Sequence, residues 1–218
     1  MDLDVIPRNA GFMLSGLGLS FQLAAITLLG GVPLGVVLGI ARLSRRWGIY
    51  YPASLYVHFF RSQPLILIIF WFYFLVPIVV GRPLGAFVSA AIAFVTFEAA
   101  YFAEIVRGGI QSVPRGQQAA ALASGLRPYQ VQLSVVLPQA IRNMVPSLTT
   151  QTVIIFQDTS LGYVIGLREF LRRVNLTDSR EVRSLELYLF AGLVYFLICF
   201  SGSRYSRRFE RRREESAH

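Results

Sequence analysis

Residues 9–41 contain no charged side chain over 33 positions. About 20 apolar residues are enough to cross a bilayer as a helix, so a first span is predicted over 17–41. Residues 42–48 follow as a short basic loop. A second apolar run predicts a span over 53–77, with Arg61 in its first half. Residues 81–83 have turn composition. A third span is predicted over 84–106, with Glu98 and Glu104 inside it. Residues 108–130 break the pattern: Gly, Gln, Ala and Arg mix there without any acid. That segment is too polar to span, yet its Ala-rich centre favours helix, so short amphipathic helices on the cytoplasmic face are expected. A fourth span over 133–156 contains Pro138, Arg142 and Pro146, and is expected to kink or start late. A mixed polar segment over 158–186 leads to a last span over 187–203. The expected fold is a single all-α integral membrane domain over 1–218, with five crossings and no internal repeat.

Composition agrees with that pattern. Apolar residues make up 54% and charged residues only 15% of the 218, against about 25% charged in soluble domains. The acids Asp2 and Asp4 before the first run, and the length of that run, argue against a signal peptide. The formal charge of +9 comes from 21 Arg and no Lys. A P-loop needs a lysine to reach phosphates, so this chain cannot hold that kind of nucleotide site. One cysteine, Cys199, leaves no internal disulfide. His58 and the terminal His218 are too few for a His/Cys metal site.

The arginines abut apolar runs, as loops on the cytoplasmic side do. With the C-terminus inside, twelve Arg fall on inner segments and seven on outer ones; Arg61 and Arg142 lie within spans. The N-terminus is therefore expected outside and the C-terminus in the cytoplasm. The six Arg of the tail, from Arg204 onward, suit an anchor on anionic lipid. Five helices are few for a complete transport path, so a path lined by two copies, or by this chain and a relative, is the simpler geometry.

Within 108–130, Ala119-Ala120-Ala121 is followed by three residues and Gly125, then by nine residues and Val135-Val136-Leu137-Pro138. This spacing resembles the Glu-Ala-Ala ("EAA") loop of bacterial ABC-importer permeases. Glu98-Ala99-Ala100-Tyr101, Gly116-Gln117 and Leu137-Pro138-Gln139-Ala140 are similar to the polar amino acid branch. Phe60-Arg61-Ser62-Gln63-Pro64-Leu65 and Phe156-Gln157-Asp158-Thr159-Ser160-Leu161 look most like its glutamate/aspartate permeases. The resemblance covers nearly the whole chain. It implies a type I importer permease fold in the bacterial inner membrane. It also implies alternating access driven by a separate ABC ATPase dimer that binds ATP and Mg, a second permease subunit, and an external solute-binding protein. This chain would be no enzyme and would hold no cofactor, metal or catalytic residue. Gly116, Gln117, Ala119, Ala120, Ala121, Gly125 and Arg127 would then dock the ATPase, in competition with a bland surface helix. Ala119 stands where the family has Glu, so a sister permease is the natural source of that charged contact.

The resemblance also puts Asp158, Thr159 and Ser160 along the substrate path, with Gln151 and Gln157 near them. Hydroxyl and amide groups suit the charged ends of an amino acid; equally, Asp158 or Thr159 could cap a following helix. Arg61 could attract a substrate carboxylate or snorkel to the inner headgroups; for Arg142 snorkelling is the better reading. Glu104 can pair with Arg107 three residues on. Glu98 lacks such a neighbour, and an Arg of another helix is its expected partner. Two other classes compete. A stand-alone channel or ion-coupled carrier would run on a gradient and leave the 108–130 spacing without a purpose. A membrane-embedded enzyme lacks any His-Glu-x-x-His or Gly-x-Ser-x-Gly motif.

Overall fold

A computed structural model describes residues 4–215, with side chains over 4–204; the tail arginines beyond Arg204 lie outside the described side chains. Among the described residues, nine helical units follow in order. They are α1 (Val5–Leu14), α2 (Leu17–Ala41), α3 (Trp47–Arg61), α4 (Leu65–Val80), α5 (Ala86–Gln111), α6 (Arg115–Ala123), α7 (residues 128–158), α8 (Phe170–Glu181) and α9 (Ser184–Glu215). A 3₁₀ stretch, Thr159–Ile165, joins α7 to α8. No strand occurs among the described residues.

Proline sets the irregularities. Pro64 has no N–H to donate and pushes Gln63 out of the helical region. The chain accordingly bends by 103° between α3 and α4. The predicted span over 53–77 is therefore two helices meeting at an elbow, not one straight crossing. Two π turns, Trp71–Leu75 in α4 and Gln132–Val136 in α7, each end shortly before a proline, Pro77 and Pro138. A proline leaves the carbonyl four residues back without its donor; here those carbonyls, on Tyr73 and Ser134, fall inside the π turns.

The centre is the α2–α5 pair. Small residues line the buried side of α2: Ser20, Ala24, Thr27, Gly31, Gly35 and Gly39. Helices in lipid associate through such stripes because backbones can approach closely. A Cβ at Gly35 would sit 2.4 Å from the Phe102 Cβ, so no larger residue fits without parting the helices. Opposite, α5 offers Ala99, Phe102 and Ala103, all buried. Around this pair, α3 packs Val57 on Ala100 and Ala103, and α4 packs Leu65, Ile68 and Ile69 on Phe94 and Phe97.

Two helices lie outside the predicted spans, α1 before the first and α8 within the segment expected to be mixed and polar. α1 and α8 pack together with α9 through Val5, Met13, Phe170, Val174 and Leu187. Glu169 caps α8: its carboxylate accepts from the Leu171 and Arg172 amides at 2.8 and 2.6 Å. Burial pushes the Glu169 carboxyl up to about 7, against the two amide bonds, which lower it. The third predicted span also runs further than expected, to Gln111, so the polar segment starts at Ser112 rather than 108.

Among the described residues, three stretches are long and apolar enough to cross a membrane: Val5–Ala41, Ala86–Gln111 and Ser184–Arg204. The bent α3–α4 pair makes a fourth. The portion Leu137–Asp158 of α7 has the length, 22 residues, but a polar side described next.

Candidate functional site

One side of α7 buries Ala140, Met144, Gln151 and Ile155 against α5 and α2. At helical spacing on another side stand Gln139, Asn143, Ser147, Thr150 and Gln157; the last four are exposed and Gln139 is half-buried. A polar stripe this long cannot face lipid without cost. At its N-terminal end a cleft of about 330 Å³ opens between α5 and α7, lined by Glu104, Gly108, Ser112, Asn143 and Ser147. Asn143 Nδ2 donates across it to Ser112 Oγ at 2.8 Å.

Beside the stripe lies Glu98, wholly buried on α5. Gln151 Nε2 donates to its Oε2 at 2.7 Å. Its Oε1 is buried with no hydrogen-bond partner among the described residues. The expected Arg partner is thus replaced by a neutral amide from α7. Asp158, a second acid, stands half-buried at the end of α7. Tyr101 lies one turn beyond Glu98 on the same helix. The Arg61 guanidinium carbon lies 5.4 Å from the centroid of its ring. Of the predicted path residues, Glu98 and Gln151 thus meet directly, Arg61 lies over Tyr101 one turn away, and Asp158 ends the same helix as Gln151. The other three do not join them through hydrogen bonds. Thr159 is buried and spends its hydroxyl on the Phe156 carbonyl at 2.7 Å. Gln157 is exposed and Ser160 half-buried. No side chain caps the 3₁₀ stretch at Asp158, so the capping alternative does not apply.

Glu104 is a different environment. Its Oε1 accepts from Arg42 Nη1 and lies 3.1 Å from Arg61 Nη1. Its Oε2 accepts from Arg107 Nε and Nη2 at 2.9 and 2.6 Å. The Arg107 pair is the one expected from spacing. Arg42 opens the basic loop as expected, but is buried there and also donates from Nε to Ser54 Oγ at 3.3 Å. Arg142 is exposed.

The α6 segment is a protruding helix. Gly116, Gln117, Ala119 and Ala120 are exposed, while Ala121 packs on the Val113, Val131 and Val136 cluster that ties α6 to α5 and α7. The helix ends at Gly125, whose φ of +87° is left-handed. The Leu126 amide donates to Ala121 O and the Gly125 amide to Leu122 O, a closure that calls for glycine at this place. Arg127 is exposed and starts the next helix, its amide donating to Gln130 Oε1 at 2.8 Å.

Tyr101, Arg42, Asn143, Ser147 and Thr150 are the site residues that sequence reasoning missed. Tyr101 shares a face with Glu98 and Glu104 by its spacing of three, and could have been found. Arg42 carries no such signal.

The family described as "binding-protein-dependent transport system inner membrane component" is matched over residues 31–215. The glutamate/aspartate import permease protein GltK of Escherichia coli O157:H7 is 41% identical over 209 residues, 93% of each chain. The glutamine transport system permease protein GlnP of Escherichia coli (strain K12) is 30% identical over 201 residues, 92% of each chain. Among solved structures, an amino acid ABC transporter crystallised with histidines superposes at a TM-score of 0.92, with 28% identity, over 97% of this chain and 99% of that one. With its helical bundle, protruding α6 and polar α7, the chain belongs to the family of binding-protein-dependent transport system inner membrane components, the permeases its sequence resembles.

Proposed function

We propose that this chain is one half of the membrane path of an ATP-driven importer for glutamate or aspartate. It crosses the bacterial inner membrane five times, by α2, the bent α3–α4 pair, α5, α7 and α9, with its N-terminus outside and its C-terminus in the cytoplasm. A second permease subunit faces the polar side of α7, so that the two together enclose a hydrophilic passage. The substrate moves past Gln139, Asn143, Ser147, Thr150 and Gln157 and is met by Glu98, Gln151 and Asp158, with Thr159 and Ser160 at the outer end. An external solute-binding protein delivers it. ATP and Mg stay on a partner ATPase dimer, which grips Arg115–Ala123 and the turn at Gly125 and Arg127. Because Ala119 replaces the family glutamate, the charged contact comes from the other permease.

The observation that carries this reading is a buried, incompletely bonded carboxylate beside a polar stripe in a membrane helix. Both are expensive in hydrocarbon and useful only where a polar solute passes. The relative at 41% identity is a glutamate/aspartate permease and the more distant one at 30% a glutamine permease, which favours an acidic substrate. The test is reconstitution of the complex in liposomes with labelled glutamate. ATP-dependent uptake is expected, suppressed by excess aspartate and little affected by arginine. Uptake without the ATPase, or equal competition by arginine, contradicts the proposal.

A further inference from the structure

One carboxylate, Glu104, faces three guanidinium groups. Arg42 hydrogen-bonds Oε1 and is itself only 6% exposed. Arg107 hydrogen-bonds Oε2 twice. Both oxygens are therefore served without Arg61. Arg61 adds an ion contact of 3.1 Å, and its side chain is 41% exposed. An exposed contact of this kind is worth little, and the two neighbouring cations repel it. Arg61 can leave Glu104 at small cost, while Arg42 cannot.

Its position gives it somewhere to go. Arg61 is the last residue of α3, immediately before the 103° elbow. Its guanidinium stacks on Tyr101, one turn from Glu98. Glu98 and Asp158 suit the ammonium group of an amino acid. They repel its carboxylates, which need a cation close by. A dicarboxylic substrate carries one carboxylate more than glutamine, and that extra group must be neutralised for it to enter a path already holding two acids.

We propose that Arg61 receives the side-chain carboxylate of a dicarboxylic amino acid, leaving Glu104 to Arg42 and Arg107 as it does so, and thereby sets the preference for acidic over neutral substrates. This rests on the reading of Glu98 and Asp158 as path residues.

The test is direct binding to the purified complex of permeases and ATPase, without the solute-binding protein, so that the permease's own selectivity is read. Labelled glutamate and glutamine are compared on the wild type, Arg61→Gln and Arg61→Lys. Arg61→Gln should raise the glutamate Kd at least tenfold while the glutamine Kd moves less than threefold; Arg61→Lys should restore most of the glutamate affinity. An equal loss for both amino acids in Arg61→Gln means a structural strap and overturns the proposal, as does an unchanged ratio. If Arg61→Gln does not assemble, Arg61→Met, which keeps an apolar stem without the charge, decides: a glutamate-to-glutamine ratio identical to wild type overturns the proposal and a selective tenfold drop supports it. A wild-type complex that binds neither glutamate nor aspartate sinks the acidic substrate class itself, and this proposal with it.

Discussion

Glu98 and Glu104 stand six residues apart on α5, the same residue type on the same helix. Glu104 is supplied with more positive charge than it needs, from α2, α3 and its own helix. Glu98 has one neutral amide for one oxygen and nothing for the other among the described residues. The first arrangement fastens three helices at one point. The second leaves a buried polar atom unanswered, which a fold does not do for stability. Charge in a membrane helix is thus no single signal: what its partners leave unsatisfied separates the fastening acid from the working one.

The largest effect should come from removing the fastening. Glu104→Gln strands buried Arg42 without its counter-ion, and breaking such a pair costs about 3–5 kcal/mol. The purified chain should lose thermal stability in detergent, read by the Tm of tryptophan fluorescence, and its yield should fall. Glu98→Gln does the opposite. The isosteric amide still meets Gln151, so assembly and Tm should hold while ATP-driven uptake of glutamate drops about tenfold, the equivalent of about 1.4 kcal/mol at the barrier. If Glu98→Gln unfolds the chain and Glu104→Gln merely slows transport, the contrast is reversed and the assignment fails.

A smaller change sharpens the picture away from α5. Gly125→Val forces a branched residue into the left-handed region, at about 1–2 kcal/mol. It should loosen the end of α6 without touching the bundle. ATP hydrolysis by the complex should then run on with reduced uptake per ATP, measured as the ratio of the two rates. An unchanged ratio would remove α6 from the coupling role.

A last effect concerns pH. Glu169 is raised from the ordinary 4.5 to about 7 by burial, so the fold prefers its protonated form. That contribution to stability is complete below about 4.5 and is lost as pH rises through about 7. The Tm should therefore fall modestly between pH 5 and pH 8. Glu169→Gln, neutral at every pH, should flatten the fall; an identical slope in that variant would assign it to other groups.

Much of this was legible beforehand. Apolar runs marked four of the helices that build the bundle, Pro138 marked the irregular start of α7, and the Ala119–Gly125 spacing marked the protruding helix. The elbow at Pro64 was not read, because a single apolar run hides a turn that only the backbone of residues 62–64 determines. α1 and α8 were missed because their apolar faces are short and need each other and α9 to be buried. The candidate site was legible in its residue types and not in its pairings. Nothing local tells Arg42 to fold onto Glu104 sixty-two residues on, or gives Glu98 an amide in place of a guanidinium.

The polar side of α7 should line a wet passage, and thiol labelling reads it directly. In a chain whose one cysteine is removed as Cys199→Ser, single cysteines at Asn143, Ser147, Thr150 and Gln157 are compared with one at Ile141, which is exposed on another side. A membrane-impermeant methanethiosulfonate reagent should modify the four stripe positions in the assembled complex at rates that change on adding ATP, and leave Ile141→Cys unmodified. Equal labelling of all five positions, or none at the stripe in either nucleotide state, would contradict a passage there.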